Sequence, residues 1–149
     1  MFRRTLIAGF AASATLIVAG CAKPVLGPLP EGKNALLKRF KAAANKEMAR
    51  LDLGYKNIDS MAQIMGGARR AEIARDDYER LKEHHERLKK VMKEVGNVRA
   101  EIKDQALLEA FDRYVKALSA VADAPVGELT DDMILQWQNA AADMEPLVD

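Results

Sequence analysis

A long stretch without proline is the feature that most constrains this chain. No proline occurs between Glu31 and Asp123, and apolar residues recur there at steps of three and four. Because proline interrupts helices, this combination predicts long amphipathic helices. The most regular part follows a heptad pattern; from residue 78 onward we call its members the seam, and they are Tyr78, Leu81, His85, Leu88, Met92 and Val95. No convincing strand-like alternation follows residue 21, so we expect an all-α fold.

The residues that end helices predict where the first two helices lie. Apolar residues between positions 36 and 51 recur with helical spacing, and Gly54 is typical of a helix end, so we predict a helix over residues 33–53. Ser60-x-x-Gln63 has the spacing of a capping box and predicts the start of a short helix. We expect Gly66-Gly67 to end or bend that helix.

Two nearly equal arms follow, residues 68–95 and 98–123, with Gly96-Asn97 between them. At 1.5 Å per residue each arm is about 40 Å long. Equal arms around a glycine turn are typical of antiparallel helices, so we predict a long antiparallel helical hairpin. The alternative is one continuous helix that exposes the seam to a partner.

A last helix is predicted after the break at Ala124-Pro125. Thr130 is a suitable N-cap, and acids in the first turn favour a helix start. Trp137 is expected to anchor this helix in the core, and Pro146 is expected to stop it. The predicted architecture is a helical bundle built on the hairpin and closed by the first and last helices.

The first 21 residues combine four features of an export signal. Arg3 and Arg4 are basic, the run to Ala19 is almost wholly apolar, Ala19 and Gly20 are small, and Cys21 is the only cysteine. The apolar run is shorter than the ~20 residues that span a bilayer. Val18-Ala19-Gly20-Cys21 resembles the lipobox of bacterial lipoproteins.

The resemblance implies cleavage between Gly20 and Cys21, diacylglyceryl transfer to the Cys21 sulfur and acylation of the new amine. Acyl chains on Cys21 would anchor the protein in a lipid bilayer. By the same resemblance, Ala22 favours an outer-membrane location facing the periplasm. The alternatives are an uncleaved anchor helix and an ordinary secretory signal.

The expected organisation then has three parts: a signal peptide (1–20), the lipidated cysteine with a flexible, proline-rich tether (21–32), and a helical domain (33–149). The eleven tether residues after Cys21 reach at most ~35 Å when extended.

Charge is unevenly distributed along the chain. Residues 31–56 carry seven bases and three acids, whereas residues 117–149 carry seven acids and no base. Opposite charge in the same chain favours packing of the first and last helices side by side. The alternative is that the basic first helix faces anionic lipid headgroups.

The adjacent histidines His84 and His85 do not predict a metal site. Neighbouring residues on a helix point about 100° apart, and no carboxylate lies three or four residues from either histidine. Met61 and Met65 have a spacing that suits a soft metal, but we interpret them as core residues. We therefore expect no metal and no cofactor.

Enzyme signatures are absent from the sequence: it contains no Gly-x-Ser-x-Gly, no HExxH, no P-loop and no dinucleotide fingerprint. A net charge of +1 gives no case for nucleic-acid binding. We expect a non-enzymatic envelope lipoprotein that acts as a structural or protein-interaction module, with the seam as its contact surface for a protein partner or a second copy. The alternative is a periplasmic metal- or ligand-binding bundle that uses His84 or His85.

Overall fold

The computed structural model describes residues 25–64 and 75–149. These residues contain no strand and form five helices: α1 (Ala35–Ile64), α2 (Arg75–Met92), α3 (Val95–Glu101), α4 (Gln105–Asp123) and α5 (Asp131–Val148). The all-α fold class is therefore confirmed. The predictions for the signal peptide, Cys21, Met65 and Gly66-Gly67 lie outside the described residues.

The helices pack as a bundle in which α1 lies against α2, α4 against α5, and α2 against α4. Hydrogen bonds and ion pairs show the directions of the neighbours of α1. Asn45 contacts Trp137 while Lys38 contacts Asp149, so α1 and α5 run antiparallel. By the same argument α1 and α2 run antiparallel, because Glu47 contacts Arg87 and the later residue Gly54 faces Leu81.

Aromatic side chains of α1 and α4 meet in the core. Phe40 packs edge-to-face on Phe111 and on Tyr114, with ring centroids 5.7 Å and 6.3 Å apart. Such aromatic pairs stabilise by roughly 0.5–1.5 kcal/mol beyond the burial of their area. Fully buried aliphatic side chains surround them, among them Leu37, Met48, Leu51, Leu88, Leu107, Leu118 and Met144.

The predicted end of the first helix at Gly54 is wrong, because α1 continues to Ile64. Gly54 instead marks a close approach between two helices: a Cβ atom there would lie 2.9 Å from Cδ2 of Leu81. The absence of a Cβ at Gly54 thus fits the close packing of α1 on α2, and Gly54 does not end the helix. Ser60 lies inside α1, so the separate short helix is also wrong.

The predicted turn at Gly96-Asn97 is wrong, because both residues lie inside α3. The chain leaves α2 at Lys93 and Glu94, whose N–H groups donate to carbonyls three residues earlier and tighten the last turn. The second predicted arm corresponds to α4, which starts at Gln105 and not at residue 98. The Asp104 carboxylate caps this start, because it accepts from the N–H of Leu107 at 2.8 Å.

The last helix confirms one prediction and overturns another. Thr130 is the N-cap of α5, since its hydroxyl accepts from the N–H of Met133. Pro146 does not stop the helix, which continues to Val148. The side chain of Asn34 donates to the Val148 carbonyl at 2.7 Å, and so supplies a partner that the helix end lacks.

Opposite charges join the first and last helices, as predicted. Lys38 pairs with Asp149 at 3.0 Å, and Lys41 pairs with Glu145. The Glu101 carboxylate accepts from the N–H of Leu36 at 3.1 Å and so caps the start of α1. The basic first helix thus lies beside the acidic last helix.

The segment before α1 is irregular, but Val25 and Leu26 are half-buried and pack against the core. Part of the span predicted as a tether therefore contacts the bundle. In the two ranges that the structure covers, no helix is both long and apolar enough to cross a membrane.

Replacing Gly96 with alanine tests its placement in α3. Nothing lies within 4 Å of the added Cβ, so Gly96→Ala is expected to raise the free energy of unfolding by about 0.5–1 kcal/mol. Gly127→Ala is the contrasting variant: its φ is +97°, and the expected loss is about 1–2 kcal/mol. Urea denaturation followed by circular dichroism measures both, and a destabilised Gly96→Ala would place Gly96 in a turn.

Candidate functional site between α1 and α2

A buried carboxylate is the most distinctive polar feature of the bundle. Glu47 of α1 is 1% exposed and faces α2. Burial of an unpaired carboxylate costs several kcal/mol, so its partners decide whether the arrangement is stable.

Three cationic or polar side chains satisfy Glu47. Nδ1 of His84 lies 3.2 Å from one carboxylate oxygen, and Nε of Arg87 donates to the other at 3.1 Å. Arg50, one turn along α1, lies 3.5 Å from the second oxygen. Because a carboxylate only accepts hydrogen bonds, His84 carries its proton on Nδ1 here. We call these four residues the Glu47 cluster.

The Glu47 cluster was missed by the sequence analysis. One signal was present: Glu47 occupies a helical position three residues after Ala44 and four before Leu51, both fully buried. A charged residue inside an apolar stripe indicates a buried polar contact.

A second polar contact lies about two turns further along α1, at the same interface. The phenol oxygen of Tyr55 accepts from the N–H of Gly127 at 2.8 Å and lies 3.2 Å from Nε2 of His85. The phenol oxygen and Nε2 thus share one hydrogen bond, whose donor depends on the tautomer of the imidazole. This contact joins α1, α2 and the segment before α5.

Burial holds His85 neutral. Its side chain is 2% exposed, and desolvation lowers its pKa. The backbone of Val121 and the charge of Glu86 oppose this lowering, whereas Lys89 and His84 add to it. Nδ1 has no hydrogen bond of good geometry within the described residues, although the Val121 backbone is its polar neighbour.

The seam lies mainly inside the bundle. Leu81, His85 and Leu88 are buried in the core of this same chain, and Met92 and Val95 are half-buried against it. Tyr78 is the exposed member, at 42%. The structure therefore brings the seam residues to one stripe, and that stripe packs largely within the chain.

A third polar contact connects α1 to the other side of the bundle. The Asn45 amide oxygen accepts from the Tyr114 hydroxyl at 2.6 Å and from the indole N–H of Trp137 at 3.2 Å. Burial raises the pKa of Tyr114, so its hydroxyl remains a donor. Trp137 is half-buried against the core, where it was expected to anchor the last helix.

Two clefts lie on the surface of α1, one at its start and one beside the Glu47 cluster. The larger, about 710 Å³, lies where α1 begins and α5 ends, and its lining includes Lys33, Glu101 and Lys103. The smaller, about 150 Å³, lies between α1 and α2 beside Arg50 and His84. Across residues 25–64 and 75–149, no group of three or more His, Cys, Asp or Glu side chains is placed to hold a metal ion.

Met61 is 54% exposed, so its interpretation as a core residue is wrong.

Comparison of the chain with known protein families, curated proteins and solved structures finds no match.

Substitution of Glu47 tests whether the Glu47 cluster joins α1 to α2. Glu47→Gln keeps the shape but loses the charge-assisted hydrogen bonds, and we expect the free energy of unfolding to fall by about 1–3 kcal/mol. Glu83→Gln is the matched control, because Glu83 is exposed and its loss is expected to stay within about 0.5 kcal/mol. Equal effects in urea denaturation would contradict an interhelical role for Glu47.

The buried imidazole predicts a pH dependence of stability. Since the pKa of His85 is lower in the folded chain than in the unfolded chain, the unfolded state binds more protons as the pH falls. Its stabilising contribution is thus complete above about pH 6.5 and declines below it. Denaturation between pH 5 and pH 8 is expected to show a shallower decline in His85→Gln than in the parent, whereas His84→Gln, which retains His85, keeps the decline.

Proposed function

We propose that this protein is a lipid-anchored bacterial envelope protein whose helical bundle serves as a structural or protein-interaction module in the periplasm. The favoured location is the outer membrane, because Ala22 follows the acylated cysteine. No catalytic role is part of this proposal.

The observation that carries the proposal is the lipobox-like segment of the sequence, which lies directly before the described bundle. Val18-Ala19-Gly20-Cys21 contains the only thiol of the chain, and Val25, the first residue that the structure describes, packs against the core. A cleaved and acylated chain would therefore keep every residue that packs in the described bundle.

Acyl chains on Cys21 supply the anchoring energy. Each buried methylene contributes about 0.8 kcal/mol, so two or three chains hold a protein stably where a single chain does not. The core of the bundle is filled by side chains of this same chain. The outer surface of the bundle would therefore be the part that contacts other proteins.

A protein partner would contact the outer faces of the helices and not the buried part of the seam. Large apolar side chains are exposed there, and burial of such groups contributes to the centre of protein interfaces; they include Leu53, Met61, Tyr78, Leu135 and Leu147. This favours docking on a partner over association through the seam.

Metabolic labelling with a radioactive fatty acid tests the anchor. In a bacterial host that processes lipoproteins, the parent chain is expected to incorporate label and to begin at Cys21, as measured by mass spectrometry. Cys21→Ala is expected to incorporate none and to retain residues 1–20. Gly20→Ala is the control, because it keeps a small residue before the cleavage point and should be processed normally. An unlabelled parent chain would refute the proposal.

A further inference from the structure

Residues 25–29, which we call the docked segment, have two contrasting parts. Val25 and Leu26 are half-buried against the core, whereas Gly27, Pro28 and Leu29 are exposed. Leu29 is 53% exposed although it is a large apolar residue. The segment is thus attached to the bundle by one part and presents an apolar side chain to the surroundings by the other.

The chain between Cys21 and the docked segment is short. Three residues, Ala22, Lys23 and Pro24, separate Cys21 from Val25. Four Cα–Cα steps span at most about 14 Å, whatever their conformation. If acylation fixes Cys21 at the bilayer surface, Val25 therefore lies within about 14 Å of that anchor. A free tether over residues 22–32 would allow ~35 Å.

Cations at the start of α1 are engaged by carboxylates of the same chain. Lys38 and Lys41 pair with acids at the end of α5, and Arg39 lies 3.6 Å from Glu94. Their pairing weakens the attraction of this part of α1 to anionic headgroups. An apolar contact at the lipid surface remains, and Leu29 is the residue placed to make it.

We propose that the docked segment holds the bundle directly against the lipid bilayer, with the Leu29 side chain in the headgroup region. This inference rests on the proposed acylation of Cys21. Four residues separate Leu29 from Asn34, which contacts the end of α5. That end of the bundle accordingly lies nearest the membrane, and the opposite end of α5 lies toward the periplasm.

Fluorescence quenching on the acylated protein in vesicles tests the contact. Because the Cys21 sulfur is alkylated in the lipoprotein, Leu29→Cys introduces the single thiol available for a fluorophore. Leu135→Cys is the matched control: Leu135 is 52% exposed and lies thirteen residues before Val148, about 20 Å along α5. Lipids with a quencher in the headgroup report proximity to the bilayer, and iodide reports exposure to water.

The Leu29 label is expected to be quenched by the headgroup quencher about threefold or more strongly than the Leu135 label, in neutral and in anionic vesicles alike. Equal headgroup quenching at both positions, on protein whose acylation is confirmed by mass spectrometry, would overturn the inference and leave the anchor intact. A Leu29 label shielded from both quenchers would also overturn it, because protein and not lipid would then cover the residue. Absence of acylation would instead refute the proposed function. Thermal melts of both labelled proteins confirm folding.

Discussion

The continuity of α1 is the constraint on which the rest of the bundle depends. This helix packs against α2, α3 and α5, and its Phe40 contacts two aromatic rings of α4. A helix interrupted at Gly54 could not place Glu47 and Tyr55 on one continuous surface facing α2. Gly54 lies within this continuous helix, and the absence of its side chain lets Leu81 approach the backbone.

Polar contacts along α1 give each neighbouring helix a defined position. Glu47 contacts α2, Asn45 contacts α4 and α5, and Tyr55 contacts both α2 and the segment before α5. Apolar side chains alone tolerate sliding of one helix along another, whereas a buried polar group loses its partner when the register shifts. We infer that these contacts define the register, while the apolar core supplies most of the stabilisation.

Much of the fold follows from local chemistry. The helical period and the scarcity of proline predict an all-α chain, and the Thr130 hydroxyl predicts the start of α5 because an N-cap depends on residues within one turn. The opposite charges of the first and last helices predict their pairing, which Lys38 and Asp149 make. Three errors concern residues that are helix breakers by propensity, Gly54, Gly96 and Pro146, since all three lie inside helices. A single glycine disfavours a helix by only about 1 kcal/mol, so its presence does not decide where a helix ends.

The candidate site shows the same division. That His85 lies on the apolar stripe was evident from spacing, but its contact with Tyr55, 30 positions away, depends on how α1 and α2 align. The pairing of Arg87 with Glu47 likewise needs the packed pair of helices, because Glu83 lies one turn away on the same helix and yet the contacted carboxylate belongs to α1. The sequence by itself determined the helical class, the N-cap of α5, the charge complementarity and the lipobox resemblance, all of which depend on residues and their spacing. Only the tertiary structure decided where helices continue, which carboxylate is buried and that Val25 packs on the core, because these depend on contacts between residues distant in the chain.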